Sequence, residues 1–270
     1  LTTIIIENMK LERDEKISAL KEKEMQSETI EDVEKQLKGE EAPKEQEPPK
    51  EMGFISVSIG DGINEIFQGL GVDYIIEGGQ TMNPSTEDML TAIEKVNAKN
   101  IFILPNNKNI IMAANQAAEL VEDKKIVVIP SKSVPQCISA MVEFNDKKSA
   151  EANEKAMNKA IGRVTSGQLT YAVRDTEIDG IEIKKDDILG MVEGKIVTVG
   201  KDIDDVLNRV VSQMVDEDTE FLNVYYGKEI KKPQADVMLK ALETKYADDE
   251  IEVSFKKGGQ PLYYYIISAE

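Results

Sequence analysis

Three short polar stretches carry the side chains best suited to gripping a ligand. They are Glu77-Gly78-Gly79-Gln80-Thr81-Met82-Asn83-Pro84-Ser85, Pro105-Asn106-Asn107-Lys108-Asn109 and Pro130-Ser131-Lys132-Ser133. Each follows an apolar run and leads into a helical one. Their hydroxyls and amides both donate and accept hydrogen bonds, and helix N-termini attract anions. If the preceding runs are parallel strands, all three loops lie along the carboxyl edge of one sheet, where open α/β sheets bind their ligands. Turn chemistry and helix capping would also account for the Asn, Ser and Gly content without a ligand.

Other chemistry is excluded by composition. The chain has no histidine, so it holds no Ser-His or Cys-His nucleophile pair and no His-ligated metal. General acid–base work would fall to carboxylates, Lys108, Lys132 or tyrosine. The single cysteine, Cys137, excludes an internal disulfide and multi-thiolate zinc sites; its apolar context reads as a packed thiol at the start of a helix. Gly60-Asp61-Gly62 lacks the third glycine and the spacing of a nucleotide fingerprint. Lys+Arg of 33 against Asp+Glu of 51 gives a net charge of −18, which disfavours nucleic acid and anionic membranes and permits a basic protein partner. No apolar run approaches the about 20 residues that span a bilayer. A cytoplasmic location is expected from the lone cysteine.

The elements that must position these loops are legible as periodicity. The run Thr2–Ile6 reads as a strand without a neighbour, and the chain starts with Leu; residues 1–12 are therefore expected to be the terminal strand of a preceding domain. Residues 13–51 are expected to be a charged, proline-containing linker with one short helix around Ile30, Val33 and Leu37. From there, apolar strands near 54–58, 72–76, 101–104 and 126–129 alternate with amphipathic helices. That is a βαβ pattern with a parallel sheet, lobe one, over residues 52–145. A polar helix within 146–166 opens lobe two, residues 146–270. It is read as a second α/β region with strands at 168–176, 221–226, 251–255 and 263–270 and a hairpin turn at Glu193-Gly194.

The segments GGQTMNPSTEDML (78–90), ILPNNKNIIMAANQAA (103–118), AVRDT (172–176) and GGQPLYYYIISAE (258–270) closely resemble the C-terminal domain of the catalytic component of bacterial fatty-acid kinases, members of a dihydroxyacetone-kinase-like family. The resemblance covers residues 53–270. It implies a two-lobed α/β domain like the DegV-type fatty-acid carriers. It also implies a whole protein with an N-terminal nucleotide-binding domain, using ATP and magnesium, and a middle domain with a Cys/His metal cluster. That protein phosphorylates a fatty acid held by a separate DegV-like carrier, giving an acyl phosphate for phospholipid synthesis. No cofactor and no metal are expected in this region itself, and a homodimer is possible through the other domains.

In the carriers a Ser/Thr-rich loop grips the carboxylate; here the matching place is Gly79 to Ser85. PSKSVPQ (130–136) resembles the carriers' Asp-Ser-Lys-Ser segment with Pro130 in place of the Asp, and the carriers' C-terminal histidine is replaced within residues 258–265. The implied ligand- or partner-binding residues are Gly79, Gln80, Thr81, Asn83, Ser85, Asn106, Asn107, Ser131, Ser133 and Gln260, with Gln80 and Gln260 expected to line one shared cleft. The resulting expectation is a region without catalytic residues that docks the loaded carrier. The alternative is a small-molecule sensor that binds a fatty acid or another anion between the lobes.

Overall fold

Apolar side chains on both faces of a strand require cover on both sides, and β3 (Ala98–Leu104) shows the result in the computed structural model, which describes residues 48–79, 82–178 and 180–270. Phe102 and Leu104 enter one apolar cluster, Ile101 and Ile103 the other, and all four are buried. β3 belongs to a four-stranded parallel sheet in the order β2-β1-β3-β4, with β1 at Lys50–Ser58, β2 at Tyr74–Glu77 and β4 at Lys125–Val128. β1 begins inside the segment expected as linker. The strand at 2–6, the helix near residues 30–37, Gln80 and Thr81 lie outside the described residues.

Helices α1 (Asp61–Gly69), α2 (Thr86–Lys95), α3 (Lys108–Leu120) and α4 (Val134–Val142) connect and follow these strands. α2 and α3 cover one face, where Met89, Ile93, Ile110 and Ala114 are buried; α1 and α4 contribute Ile63, Phe67, Cys137 and Met141 to the other. The sheet's connections reverse between β1 and β3, so a crevice opens at the carboxyl ends of those two neighbours.

After α5 (Ala150–Ile161), a six-stranded mixed sheet forms in the order β11-β10-β12-β5-β8-β9. Its strands are β5 (Thr165–Tyr171), β8 (Ile188–Val192), β9 (Lys195–Gly200), β10 (Phe221–Tyr226), β11 (Glu252–Lys257) and β12 (Tyr263–Ala269). α6 (Ile203–Met214) and α7 (Lys232–Lys245) fill one face with Val206, Leu207, Val210, Met238 and Leu242. Tyr225 and Ile266, from β10 and β12, join the lobe-one cluster. Pro49–Glu270 therefore forms one compact unit. Each fully buried Phe, Leu or Ile contributes about 1.5–3 kcal/mol relative to exposure.

The strand expected over 168–176 ends instead at Tyr171. Ala172 leaves the ladder to exchange backbone bonds with Asp186 and Asp187, and the chain enters a separate hairpin of β6 (Thr176–Ile178) and β7 (Ile181–Ile183). The alternation at 168–176 spans two strands, so periodicity alone does not show the break. Among the described residues no helix is long and apolar enough to cross a membrane.

Candidate functional site

A cavity of about 400 Å³ opens at the carboxyl edge of the parallel sheet and is closed on its far side by the second lobe. Lobe one supplies Gly79, Asn106, Asn107, Lys108, Lys132, Ser133 and Gln136; lobe two supplies Ser166, Gln168, Glu193 and Tyr263.

The loop after β3 organises the lobe-one side. Asn106 is nearly buried, and its Nδ2 donates to the Val57 carbonyl of β1 at 2.8 Å, straddling the switch between β1 and β3. Asn107 caps α3: its Oδ1 accepts from the Asn109 and Ile110 amides at 3.0 and 3.1 Å. Its Nδ2 reaches the Gly79 carbonyl at 3.2 Å and Asn83 Oδ1 at 3.0 Å, which ties the loop after β2 to the loop after β3. Gly79 has φ +92°, and a Cβ there would lie 2.5 Å from the Asn106 side-chain amide, so the close approach of the two loops requires glycine.

The loop after β4 is fastened in the same way. Ser131 Oγ donates to the Pro105 carbonyl at 2.6 Å. Ser133 caps α4, accepting from the Gln136 amide at 3.3 Å, and its Oγ lies 2.7 Å from Ser166 Oγ of lobe two. Glu193 Oε1 accepts from the Ser166 amide at 2.7 Å. Cys137 sits beneath this loop with Sγ 3.0 Å from the Pro105 carbonyl; burial pushes its thiol up to about 12, so it is no nucleophile at neutral pH.

The structure thus brings together Gly79, Asn106, Asn107 and Ser133 at the cavity wall, with Ser131 and Asn83 bracing them from behind and beside. It does not bring Ser85 or Gln260 there. Ser85 caps α2 in a reciprocal box with Asp88. Gln260 is 1% exposed and donates from Nε2 to the Tyr225 carbonyl at 2.8 Å, away from the cavity lining. Its loop pairs with a different glycine turn from the one expected: the Ile63 amide donates to the Gly258 carbonyl at 3.0 Å, and a Cβ on Gly62 would sit 1.8 Å from the Lys257 carbonyl oxygen. Gly60-Asp61-Gly62 and residues 257–260 form a backbone clasp between the lobes. A second recess of about 460 Å³ flanks it, with Asp61, Glu77, Lys228 and Lys257 in its wall.

Sequence reasoning did not place Gln136, Ser166, Gln168, Glu193 or Tyr263 at the site, because lobe two reaches it only through tertiary packing. Lys108 and Lys132 had a visible signal, since each lies within one of the three polar loops. Among the described residues, no group of three or more Cys, Asp or Glu is placed to hold a metal ion.

Known proteins share this sequence and this architecture. The FakA-like C-terminal family of fatty acid kinases matches residues 53–270. Protein YloV of Bacillus subtilis (strain 168) is 47% identical over 230 residues, which is 85% of this chain and 41% of that protein, so the chain spans well under half of that relative's length. DegV, a fatty acid binding protein from Bacillus subtilis, superimposes with a TM-score of 0.57 at 12% identity, covering 82% of this chain and 99% of the other. The Streptococcus pneumoniae fatty acid kinase B3 protein loaded with linoleic acid superimposes with a TM-score of 0.55 at 10% identity, over 82% and 99% of the two chains. At such identities the two structures establish the fold alone: a two-lobed, DegV-like α/β architecture.

Proposed function

The chain belongs to the FakA-like C-terminal family of fatty acid kinases, and on that premise we propose that it is the non-catalytic C-terminal region of a fatty acid kinase. Its task is to dock a DegV-like carrier loaded with fatty acid, so that the intact kinase can phosphorylate the acid with ATP. ATP and its magnesium belong, on this reading, to another domain of the whole protein.

One observation carries the preference for docking over acyl binding. The fold is that of the carriers, yet the space behind the cavity is filled by Phe102, Leu104, Ile129, Cys137 and Ile266, all buried and packed in one cluster. An acyl chain needs an apolar bore, and the cavity wall is instead dominated by amides, hydroxyls and charged groups. A tethered docking module raises the local carrier concentration to the millimolar range without any new catalytic group. The net charge of −18 suits a carrier with a basic face.

The test is calorimetric titration of this chain with the cognate carrier, loaded and empty, at low and physiological salt. Saturable binding that weakens as salt rises is expected, chiefly through a slower on-rate. Absence of carrier binding, or stoichiometric uptake of free fatty acid by this chain, would overturn the reading.

A further inference from the structure

Lys108 and Lys132 stand on different elements, in the first turn of α3 and just before α4, yet line the same cavity. Among the described residues neither ammonium has an ion pair or hydrogen bond, whereas Lys99, Lys125, Lys184 and Lys201 are all ion-paired. In a chain with 51 acids, two unpaired lysines on one recess are a local reversal of the field. The helices add to it. Their first amides have no intrahelical acceptor, and the caps satisfy only part of them. Asn107 takes those of Asn109 and Ile110, Ser133 takes that of Gln136, and Pro135 has none. The amides of Lys108, Ser133 and Val134 remain without an intrahelical partner at the cavity rim. One carboxylate, Glu193, is fixed on the lobe-two wall by the Ser166 amide.

We propose that this cavity binds a small phosphate monoester bearing a hydroxyl group. Donors converging from two helices and two ammonium groups match a tetrahedral anion with three terminal oxygens better than a planar carboxylate. Glu193 supplies the acceptor for the ligand's hydroxyl. The volume of about 400 Å³ and the packed core behind it restrict the ligand to a few carbon atoms. This goes beyond carrier docking and does not depend on it.

The test is an NMR titration of the whole chain with four probes: inorganic phosphate, 2-hydroxyethyl phosphate, ethyl phosphate and octanoate. Both phosphate esters should shift the amides of Gly79, Asn107, Ser133 and Gly194 saturably, with 2-hydroxyethyl phosphate binding more tightly than ethyl phosphate. Lys108→Met and Lys132→Met should each weaken binding about tenfold or more, while Lys155→Met, on the exposed side of α5, should leave it unchanged. Glu193→Gln should reduce the preference for the hydroxylated ester. A non-saturable phosphate response, equal weakening by Lys155→Met, or octanoate binding more tightly than either ester would overturn the proposal. The lysine variants should keep the parent's unfolding midpoint, since both side chains are solvent-facing. Retention of carrier binding by these variants would show that docking stands apart from the anion site.

Discussion

The chain carries the same tripeptide, Gly-Gly-Gln, at 78–80 and 258–260, and the two copies meet different surroundings. At the first, Gly79 lies against the side chain of Asn106 at the rim of an open cavity. At the second, Gly258 and Gly259 donate their amides to the Tyr226 carbonyl, and the strand end before them lies against the backbone of Gly60–Gly62. One turn shapes a polar mouth; the other joins two lobes main chain to main chain. The difference teaches that a glycine's partner decides its tolerance. An amide side chain can rotate away from an added methyl, whereas a carbonyl held in a sheet cannot.

The sharpest test replaces one glycine of each region. Gly62→Ala would put a methyl 1.8 Å from the Lys257 carbonyl oxygen, so β11 or α1 must move; a loss of about 3 kcal/mol is expected in denaturant unfolding. Gly79→Ala meets a movable amide but takes an alanine to φ +92°, and should cost about 1–2 kcal/mol. Equal losses, or a larger loss at Gly79, would break the distinction between a rigid clasp and an adjustable mouth.

Gln260 sharpens the same contrast at smaller amplitude. Its Nε2 satisfies the Tyr225 carbonyl, while its Oε1 is buried without a partner. Gln260→Ala should therefore cost about 2 kcal/mol by leaving that carbonyl unpaired, and should not alter ligand or phosphate binding at the cavity. Loss of cavity binding with stability intact would return Gln260 to the site from which the geometry removes it.

How much of this was legible follows the range of the interactions. The parallel sheet shows in uninterrupted runs such as Ile101 to Leu104, because strands buried on both faces need no alternation. The caps Asn107 and Ser133 show in small polar residues directly before apolar helical periodicity. Both signals are local. Glu193 and Ser166 gave none, since they reach the cavity only when β5 and β8 pair and the lobes close. The clasp was misread for the same reason: Gly60-Asp61-Gly62 meets residues from nearly the opposite end of the chain. Likeness between two Gly-Gly-Gln segments was a poor guide to proximity, because sequence similarity between turns carries no information about which turns touch.

The smallest expected effect lies where the cavity loop ends, and it separates local from long-range control. Ser85 and Asp88 close a reciprocal cap at the start of α2: the Ser85 amide and hydroxyl donate to Asp88 Oδ2 at 2.8 and 2.7 Å, and the Asp88 amide donates to Ser85 Oγ at 3.2 Å. The Ser85 backbone bond, then its hydroxyl bond, hold the Asp88 carboxyl below the ordinary carboxylate range. A folded pKa below the unfolded one means that the stabilisation is present above the unfolded value and fades as pH falls through the folded value. Ser85→Ala removes the hydroxyl donor and leaves the backbone donor, so the Asp88 pKa should rise part of the way back, and the acid-side loss of stability attributable to this cap should shrink. Carboxyl-detected NMR titration of both proteins measures this directly. Because every bond of the cap lies within four residues, the same shift should persist in Gly62→Ala as long as α2 remains folded. If disturbing the clasp moved the Asp88 titration while α2 stayed helical, the mouth and the clasp would be coupled, and their separation into two independent glycine regions would fail.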